Sequence, residues 1–248
     1  MRSKLLTLVT VVMITLMSGC ATVDNNDPLE AINRGVYKFN DVSDKAVFKP
    51  IAGAYKAVMP SPIRTGVSNF FANIGTFVTA INQALQFKFN KAAESAGRFV
   101  INTTVGIAGL FDVASTQGIP RYKEDLGQTL GYWGVGNGAY LVLPFIGPST
   151  IRDTTGLVAE SFTIDPLSYV DDPATRNTLY GTLFISKRAE MLPGSDLLDE
   201  AALDPYSFMR DAYLQRRANQ VADGVVTSQI NDNFETSDPT VAKTQAKN

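Results

Sequence analysis

Apolar residues recur at helical spacing through most of this chain, and the runs break at proline and glycine. Asp27-Pro28-Leu29-Glu30 predicts a helix start, with Asp27 as N-cap, Pro28 at N1 and Glu30 at N3 completing an Asp version of the capping box. That helix is expected to end near Val47, before Lys49-Pro50. Pro60-Ser61-Pro62 repeats the logic with Ser61 as cap. Behind it Ile63, Val67, Phe70, Phe71, Ile74, Phe77, Val78, Ile81 and Leu85 follow at steps of three, four and one, predicting an amphipathic helix with a wide apolar face. Asn69, Asn73, Thr76 and Gln83 fall on its opposite face. Asn90 is placed to cap a third helix that ends near Gly106 and Gly109. Ser149 is placed to cap another over Thr150 to Phe162, and Thr175 to Met191 reads as a further one. Asp204-Pro205 opens the last helix, which stops before Gly224. The run from Gly131 to Tyr140 differs, because glycines alternate there with aromatic and β-branched residues. It predicts a hairpin whose return strand is Tyr140 to Leu143, before Pro144. The fold class expected is mainly α, one domain over residues 27–224, with a short Gly/aromatic hairpin; Ser, Asn, Asp, Thr and Lys then make residues 225–248 a disordered polar tail.

Charge alters this picture by where it is missing. Charged residues make up 19% of the chain, against roughly 25% in an ordinary soluble domain. Thr65 to Phe87, Phe99 to Phe111 and Gln128 to Ile151 contain no Asp, Glu, Lys or Arg, yet each carries Asn, Gln, Thr, Ser or Gly. None reads as a continuous apolar span. A buried core helix explains any one of them. Three together favour a body set in or against lipid, where a charge at depth costs roughly 2.5 to 3.5 kcal/mol on insertion scales and uncharged polar groups can satisfy one another. The residues expected to embed are Phe70, Phe71, Ile74, Phe77, Val78 and Ile81.

The N-terminus supports lipid contact. Arg2 and Lys4 form a basic n-region, and the apolar run Leu5 to Met17 is too short to span a bilayer core of about 30 Å. The run closes on Leu16-Met17-Ser18-Gly19-Cys20, which resembles the bacterial lipobox; the resemblance implies a lipoprotein signal peptide over 1–19, acyl groups on Cys20 and a tether over 20–26. Ala21, rather than aspartate, is what lipoproteins released to the outer membrane carry there. Met17 stands where leucine is commoner, and an ordinary leader with a chance cysteine is the alternative.

Composition narrows the chemistry. There is no histidine and only one cysteine, the one assigned to lipid. This removes Ser-His-Asp and Cys-His nucleophilic sites and His-based zinc sites, and it leaves no thiol for a disulfide. Neither a G-x-S-x-G elbow nor a P-loop is present. The formal charge of −2 becomes more negative once Arg2 and Lys4 leave, which argues against nucleic acid. No metal and no catalytic cofactor is expected.

Taken in order, the motifs resemble the MlaA (VacJ) family of outer-membrane phospholipid-transport lipoproteins. Asp27-Pro28-Leu29-Glu30, Asn33-Arg34, Tyr37 and Phe39-Asn40 match its opening. Ser68-Asn69-Phe70, Asn73, Arg98-Phe99, Asn102-Thr103 and Phe111 to Ala114 match its middle. Thr129 to Tyr132, Gly134 to Gly136, Tyr140, Leu143-Pro144, Gly147 and Arg152-Asp153 are similar to its most recognisable block, and Asp204-Pro205-Tyr206, Arg210, Ala212-Tyr213 and Gln215-Arg216 to its closing helix. The resemblance implies a ring-like helical lipoprotein in the inner leaflet of the outer membrane of a Gram-negative bacterium, facing the periplasm. It also implies a trimeric porin as partner, an amphipathic channel for misplaced outer-leaflet phospholipid, and a soluble periplasmic carrier that receives the lipid.

A polar-lined path lowers the barrier for a head group by replacing water with fixed hydrogen-bonding groups. Neutral Asn, Thr, Ser and Tyr suit such a lining, since a fixed charge would trap head groups of opposite sign. The expected path or gate is Gly131, Tyr132, Trp133, Gly134, Gly136, Tyr140 and Phe145, the alternative being a hairpin packed into the core. Two other classes compete: a porin-docking envelope lipoprotein that moves no lipid, and a His-free phospholipid hydrolase built on Asp171-Asp172, Arg152-Asp153 or Ser186-Lys187.

Overall fold

The computed structural model describes residues 27–201 and 203–223. The expected leader, Cys20 with its tether, and the polar tail lie outside these residues. Helices dominate, and the one sheet among the described residues has two strands.

The first helix, α1 (Glu30–Ser43), starts later than its sequence signal. Asp27 does not cap it. Its carboxylate is buried instead, accepting hydrogen bonds from Asn33 Nδ2 at 2.8 Å and from the Tyr206 hydroxyl, while Glu30 pairs with Arg34 one turn along at 2.7 Å. Nor does the chain leave the helical path before Lys49-Pro50. A π turn, Asp44–Phe48, hands over directly to α2 (Lys49–Val58). The Lys49 N–H reaches back to the Asp44 carbonyl, and Pro50, which has no N–H, lies in a first turn that needs none.

The long helix α3 (Ser61–Leu85) begins at Ser61 with Pro60 in the cap position, so Ser61 does not cap it. It turns back through Gln86 to Lys88 into α4 (Phe89–Thr104), which contains Asn90 rather than being capped by it, and the two pack as a helical hairpin. Beyond α4 the backbone takes three consecutive left-handed residues, Ile107, Ala108 and Gly109. They are held by a polar clasp. Arg98 donates to Asp112, to Ser115 Oγ at 2.8 Å and to the Ile119 carbonyl at 2.7 Å, and Asn102 donates to Asp112 at 3.0 Å. Asp112 caps the single turn α5 (Val113–Thr116).

The glycine block is not a hairpin with itself. Gly131 and Tyr132 finish α6 (Leu126–Tyr132), which Asp125 caps, and residues 133–139 form a loop. Tyr140 to Leu143 is a strand as expected (β1), but it is the outgoing strand, pairing antiparallel with β2 (Gly147–Thr150) in register Tyr140 to Thr150. Phe145 and Gly147 make the tip with positive φ. Thr150, not Ser149, caps α7 (Ile151–Thr163). A 3₁₀ turn, Pro166–Tyr169, leads to α8 (Pro173–Ala201), which outruns its predicted end at Met191 and passes through Pro193. The last helix, α9 (Pro205–Val221), lies where Asp204-Pro205 placed it.

Helix α1 covers the free edge of β1. Asn33 donates to the Tyr140 carbonyl and accepts from the Val142 N–H, each at 2.9 Å. Asn40, two turns on, repeats this with the Leu143 carbonyl at 2.9 Å and the Phe145 N–H at 2.8 Å. Two amides seven residues apart thus stand in for a third strand. Beneath them lies the apolar core, made of Tyr140, Val142 and Tyr206 with Val36, Tyr37, Tyr213 and Leu214. Helix α8 is fastened to the π turn by Arg188, whose Nε and Nη2 donate to the two Asp44 oxygens at 2.6 Å each, and by Phe184 edge-on to Phe48.

Candidate functional site

Away from that small core the interior is polar. Among the described residues, fully buried polar and charged side chains outnumber fully buried apolar ones, while large apolar side chains on every major helix face outward. Helix α3 buries its polar stripe together with two of its apolar residues, Phe71 and Val78. Asn73, Thr76, Thr79, Asn82 and Gln83 are buried, whereas Ile63 and Phe77 are exposed. Of the polar face that the sequence sets opposite the apolar one, Asn73, Thr76 and Gln83 thus turn inward.

The buried stripe is hydrogen-bonded across helices, as enclosed polar groups must be. Asn82 accepts from Thr129 Oγ1 at 2.8 Å and donates to Glu160 at 3.2 Å. Gln86 donates to Thr129 at 3.0 Å, Ser95 donates to Gln83 at 2.7 Å, and Asn73 donates to Thr103 at 2.8 Å. Glu160 also accepts from the Leu126 N–H at 2.9 Å; burial and the Asp125 charge nevertheless raise its pKa.

A clasp of charges closes this layer. Arg217, buried, donates to both Asp125 oxygens, at 2.7 and 2.5 Å, and to Asp153 Oδ1 at 3.0 Å. Asp153 also receives Arg152 at 2.9 Å and the Tyr213 hydroxyl at 2.7 Å. Desolvation alone would raise its pKa, but Arg217, Tyr213 and Arg152 outweigh burial and hold it below the ordinary carboxylate range. Helices α6 and α7 touch backbone to backbone here, since a Cβ on Gly156 would sit 2.4 Å from the Gly127 nitrogen.

Between α3, α7, α8, α9 and the segment 121–125 lies a cavity of about 460 Å³. Helix α3 gives it an apolar wall at Phe71, Ile74 and Val78. The other elements line it with Lys123, Asp125, Glu160, Lys187 and Glu190. A second cavity, of about 280 Å³, adjoins it and shares Ser68, Ser186 and Glu190. The lining is therefore amphipathic and strongly charged, not neutral as the sequence reading supposed. In a site closed by side chains from several elements, charge can come from residues far from the charge-free segments.

None of the seven residues expected to form the path or gate lines either of these cavities. Gly131 packs against Arg152 and Val221. Tyr132 and Trp133 are exposed, Trp133 donating to the Leu85 carbonyl at 3.1 Å, and Gly134 and Gly136 border open space. Tyr140 is in the apolar core, and Phe145 is at the hairpin tip against Phe39 and Phe48. Of the residues expected in lipid, Phe71 and Val78 are buried, Phe70, Ile74 and Ile81 half-buried, and Phe77 exposed. Phe71, Ile74 and Val78 turn to the cavity. No helix among the described residues is long and apolar enough to cross a membrane.

The carboxylate pairs part company. Asp172 only caps α8, accepting from the Thr175 N–H at 2.8 Å. Arg152-Asp153, named as a hydrolase candidate, is buried in the Arg217 clasp, and Ser186 and Lys187 line the cavity. Asp125, Glu160, Arg217, Asn82 and Thr129 were missed. A signal existed for Asn82: Thr76, Thr79, Asn82, Gln83 and Gln86 are uncharged and recur at helical spacing.

A model of the family described as MlaA lipoprotein matches residues 25–220. The chain is 36% identical to the intermembrane phospholipid transport system lipoprotein MlaA of Escherichia coli, over 88% of this chain and 90% of that one. It is 34% identical to the protein of the same name in Haemophilus influenzae, over 84% and 87%. An uncharacterized protein of Rickettsia felis shares 39% identity over 82% and 80%. A solved structure described as the structural basis for maintenance of bacterial outer membrane lipid asymmetry superposes with TM-score 0.70 at 34% identity, covering 79% of this chain and 98% of that one. The relatives so named are transport lipoproteins, not enzymes.

Proposed function

The chain belongs to the MlaA lipoprotein family, and on that premise we propose that it moves phospholipid out of the outer leaflet of a bacterial outer membrane. The body is held by acyl groups on Cys20 at the periplasmic side and sits in the leaflet as a ring, beside a trimeric porin. Lipid passes through the amphipathic interior to a soluble periplasmic carrier. The observation that carries this reading is a buried polar stripe, with many large apolar side chains of the helices outward, around a cavity with one apolar and several charged walls.

The physics follows from that arrangement. Exposed Phe77, Val100, Ile107 and Phe111 cost nothing in hydrocarbon, and most polar groups of α3, α4, α6 and α7 satisfy one another there, Asn73 Oδ1 and Gln83 Nε2 being left without a partner among the described residues. A head group entering the cavity exchanges water for fixed donors and acceptors, while its chains lie along Phe71, Ile74 and Val78. No bond is made or broken. Direction is set by the acceptor's affinity for lipid.

Purification of the acylated chain in mild detergent, followed by mass spectrometry of bound lipid, tests the reading. Intact phospholipid is expected. Cleaved lipid would revive the hydrolase, and the absence of lipid would leave a docking lipoprotein.

A further inference from the structure

The charged walls of the larger cavity are not uniformly occupied. Arg217 is committed to Asp125 and Asp153, Glu124 to Lys88, and Asp165 to the Tyr180 hydroxyl and the Leu167 N–H. Arg121, Lys123, Lys187 and Arg216 also line the cavity, and among the described residues none of the four has an ion pair. Glu190, one turn beyond Lys187 on the same face of α8, stays outside ion-pair distance. Four cations line one cavity without a carboxylate within ion-pair distance, although Asp165 and Glu190 lie near enough to act on Lys187, so the wall can still accept an anion in direct contact.

We propose that Lys123 and Lys187, flanked by Arg121 and Arg216, form a seat for a phosphodiester, so that lipid enters with its phosphate between the 121–123 segment and α8 and its chains toward α3. The inference deepens the transport reading and rests on it. Lys187 is consistent with it beside the shape of the cavity: burial first and the neighbouring Lys123 charge second lower its pKa, against the opposing pull of Glu190 and Asp165. An entering phosphate relieves that repulsion and forms charge-assisted hydrogen bonds. The apolar residues Phe71, Ile74, Val78 and Leu183 share the cavity, which suits a phosphate attached to hydrocarbon better than free phosphate.

The test uses the full acylated chain in detergent and equilibrium binding of three probes: a short-chain phosphatidylglycerol, a diacylglycerol with the same chains, and inorganic phosphate. Lys123→Gln with Lys187→Gln, at exposed positions without hydrogen-bond partners, should leave the thermal melt unchanged. It should weaken phosphatidylglycerol about tenfold or more, as loss of charge-assisted contacts does, and leave diacylglycerol alone. The control Lys38→Gln, on exposed α1, should change neither. Unchanged phosphatidylglycerol binding in the double variant, or an equal loss for diacylglycerol, would overturn the seat while leaving transport standing. Inorganic phosphate bound as tightly as the lipid would overturn the lipid as its occupant. Failure of the unmodified chain to bind phosphatidylglycerol at all would overturn both the seat and the transport reading beneath it.

Discussion

Replacing Arg217 by methionine keeps most of the side-chain length and removes the cation that, among the described residues, bridges Asp125 and Asp153. Breaking a buried ion pair from one side costs about 3–5 kcal/mol, because a carboxylate is left enclosed without its charge. Two features place this case at the low end. Asp153 keeps Arg152 and Tyr213, and the Asp125 side chain is 41% exposed, so water can replace its lost partner. The expected loss is about 3 kcal/mol, or a fall in Tm of roughly 6–12 °C for a chain of this size. Urea unfolding and thermal melts of the acylated chain in detergent, followed by far-ultraviolet circular dichroism, measure it. Asp153→Asn added to Arg217→Met should then cost less than about 1 kcal/mol, against roughly 2 kcal/mol or more alone, since the charge is no longer stranded. The pH dependence has a fixed sign. The native state holds Asp153 below its unfolded value of about 3.9, so its contribution is present above that pH and is lost as pH falls toward the native pKa. Arg217→Met should flatten that acid limb. Strict additivity of the two substitutions, or a loss below about 1 kcal/mol for Arg217→Met, would refute the clasp.

Asn73→Ala should destabilise by roughly 1–3 kcal/mol in the same melts, because it strips a buried side chain from Thr103; a neutral result would return α3's polar stripe to the surface. Gly109→Ala should cost about 2 kcal/mol or more, since its φ is +87° and the new Cβ would lie 2.6 Å from the Asn73 Cβ, whereas Gly118→Ala, at positive φ in open space, should cost about 1 kcal/mol. Spin labels at Ile107, Phe111 and Phe77 should contact acyl chains in nanodiscs; accessibility to a water-soluble quencher at all three would contradict the embedded reading. Cys20→Ser should lose outer-membrane fractionation, because several acyl chains at about 0.8 kcal/mol per buried methylene hold what one holds weakly.

The helices were legible where one signal sufficed. Asp204-Pro205 opens α9 because proline at N1 fits only a first turn, and the periodic run from Ile63 to Leu85 is helical throughout. Starts were misread where a polar side chain had a better tertiary partner. Asp27 had every mark of a cap, yet the Tyr206 hydroxyl lies 179 residues away and no local pattern contains it. The same holds for the hairpin. Tyr140 to Leu143 reads as strand from its residues, but its partner is chosen by the three-residue turn at Pro144 to Ile146 and by the Asn33 and Asn40 amides, which cover the edge a glycine-rich partner would have needed. Asn33 and Asn40 sit in the motif that carried the resemblance, with no role visible until β1 lies beside them.

The site was hidden for a different reason. Periodicity identifies two faces of α3, but which of them turns inward depends on the solvent outside, not on the helix. In water the apolar face is buried, since each such side chain gains about 1.5–3 kcal/mol by leaving solvent. In hydrocarbon that gain vanishes, and what must be enclosed is the face carrying Asn73, Thr79, Asn82 and Gln83, each of which would lose its hydrogen bonds to lipid. The discriminating sign is the chemistry of the polar face. A helix exposed to water has no reason to avoid Lys and Glu, yet none occurs from Thr65 to Phe87. Amides and hydroxyls there can close on one another and on Thr129, Ser95 and Thr103 without an unpaired charge, and the few charges the interior does admit come from other segments, where Arg217 meets Asp125 and Asp153. If the body is embedded as proposed, the uncharged polar stripe of α3 is the face to enclose, and the cavity of this chain lies against the helix that carries it.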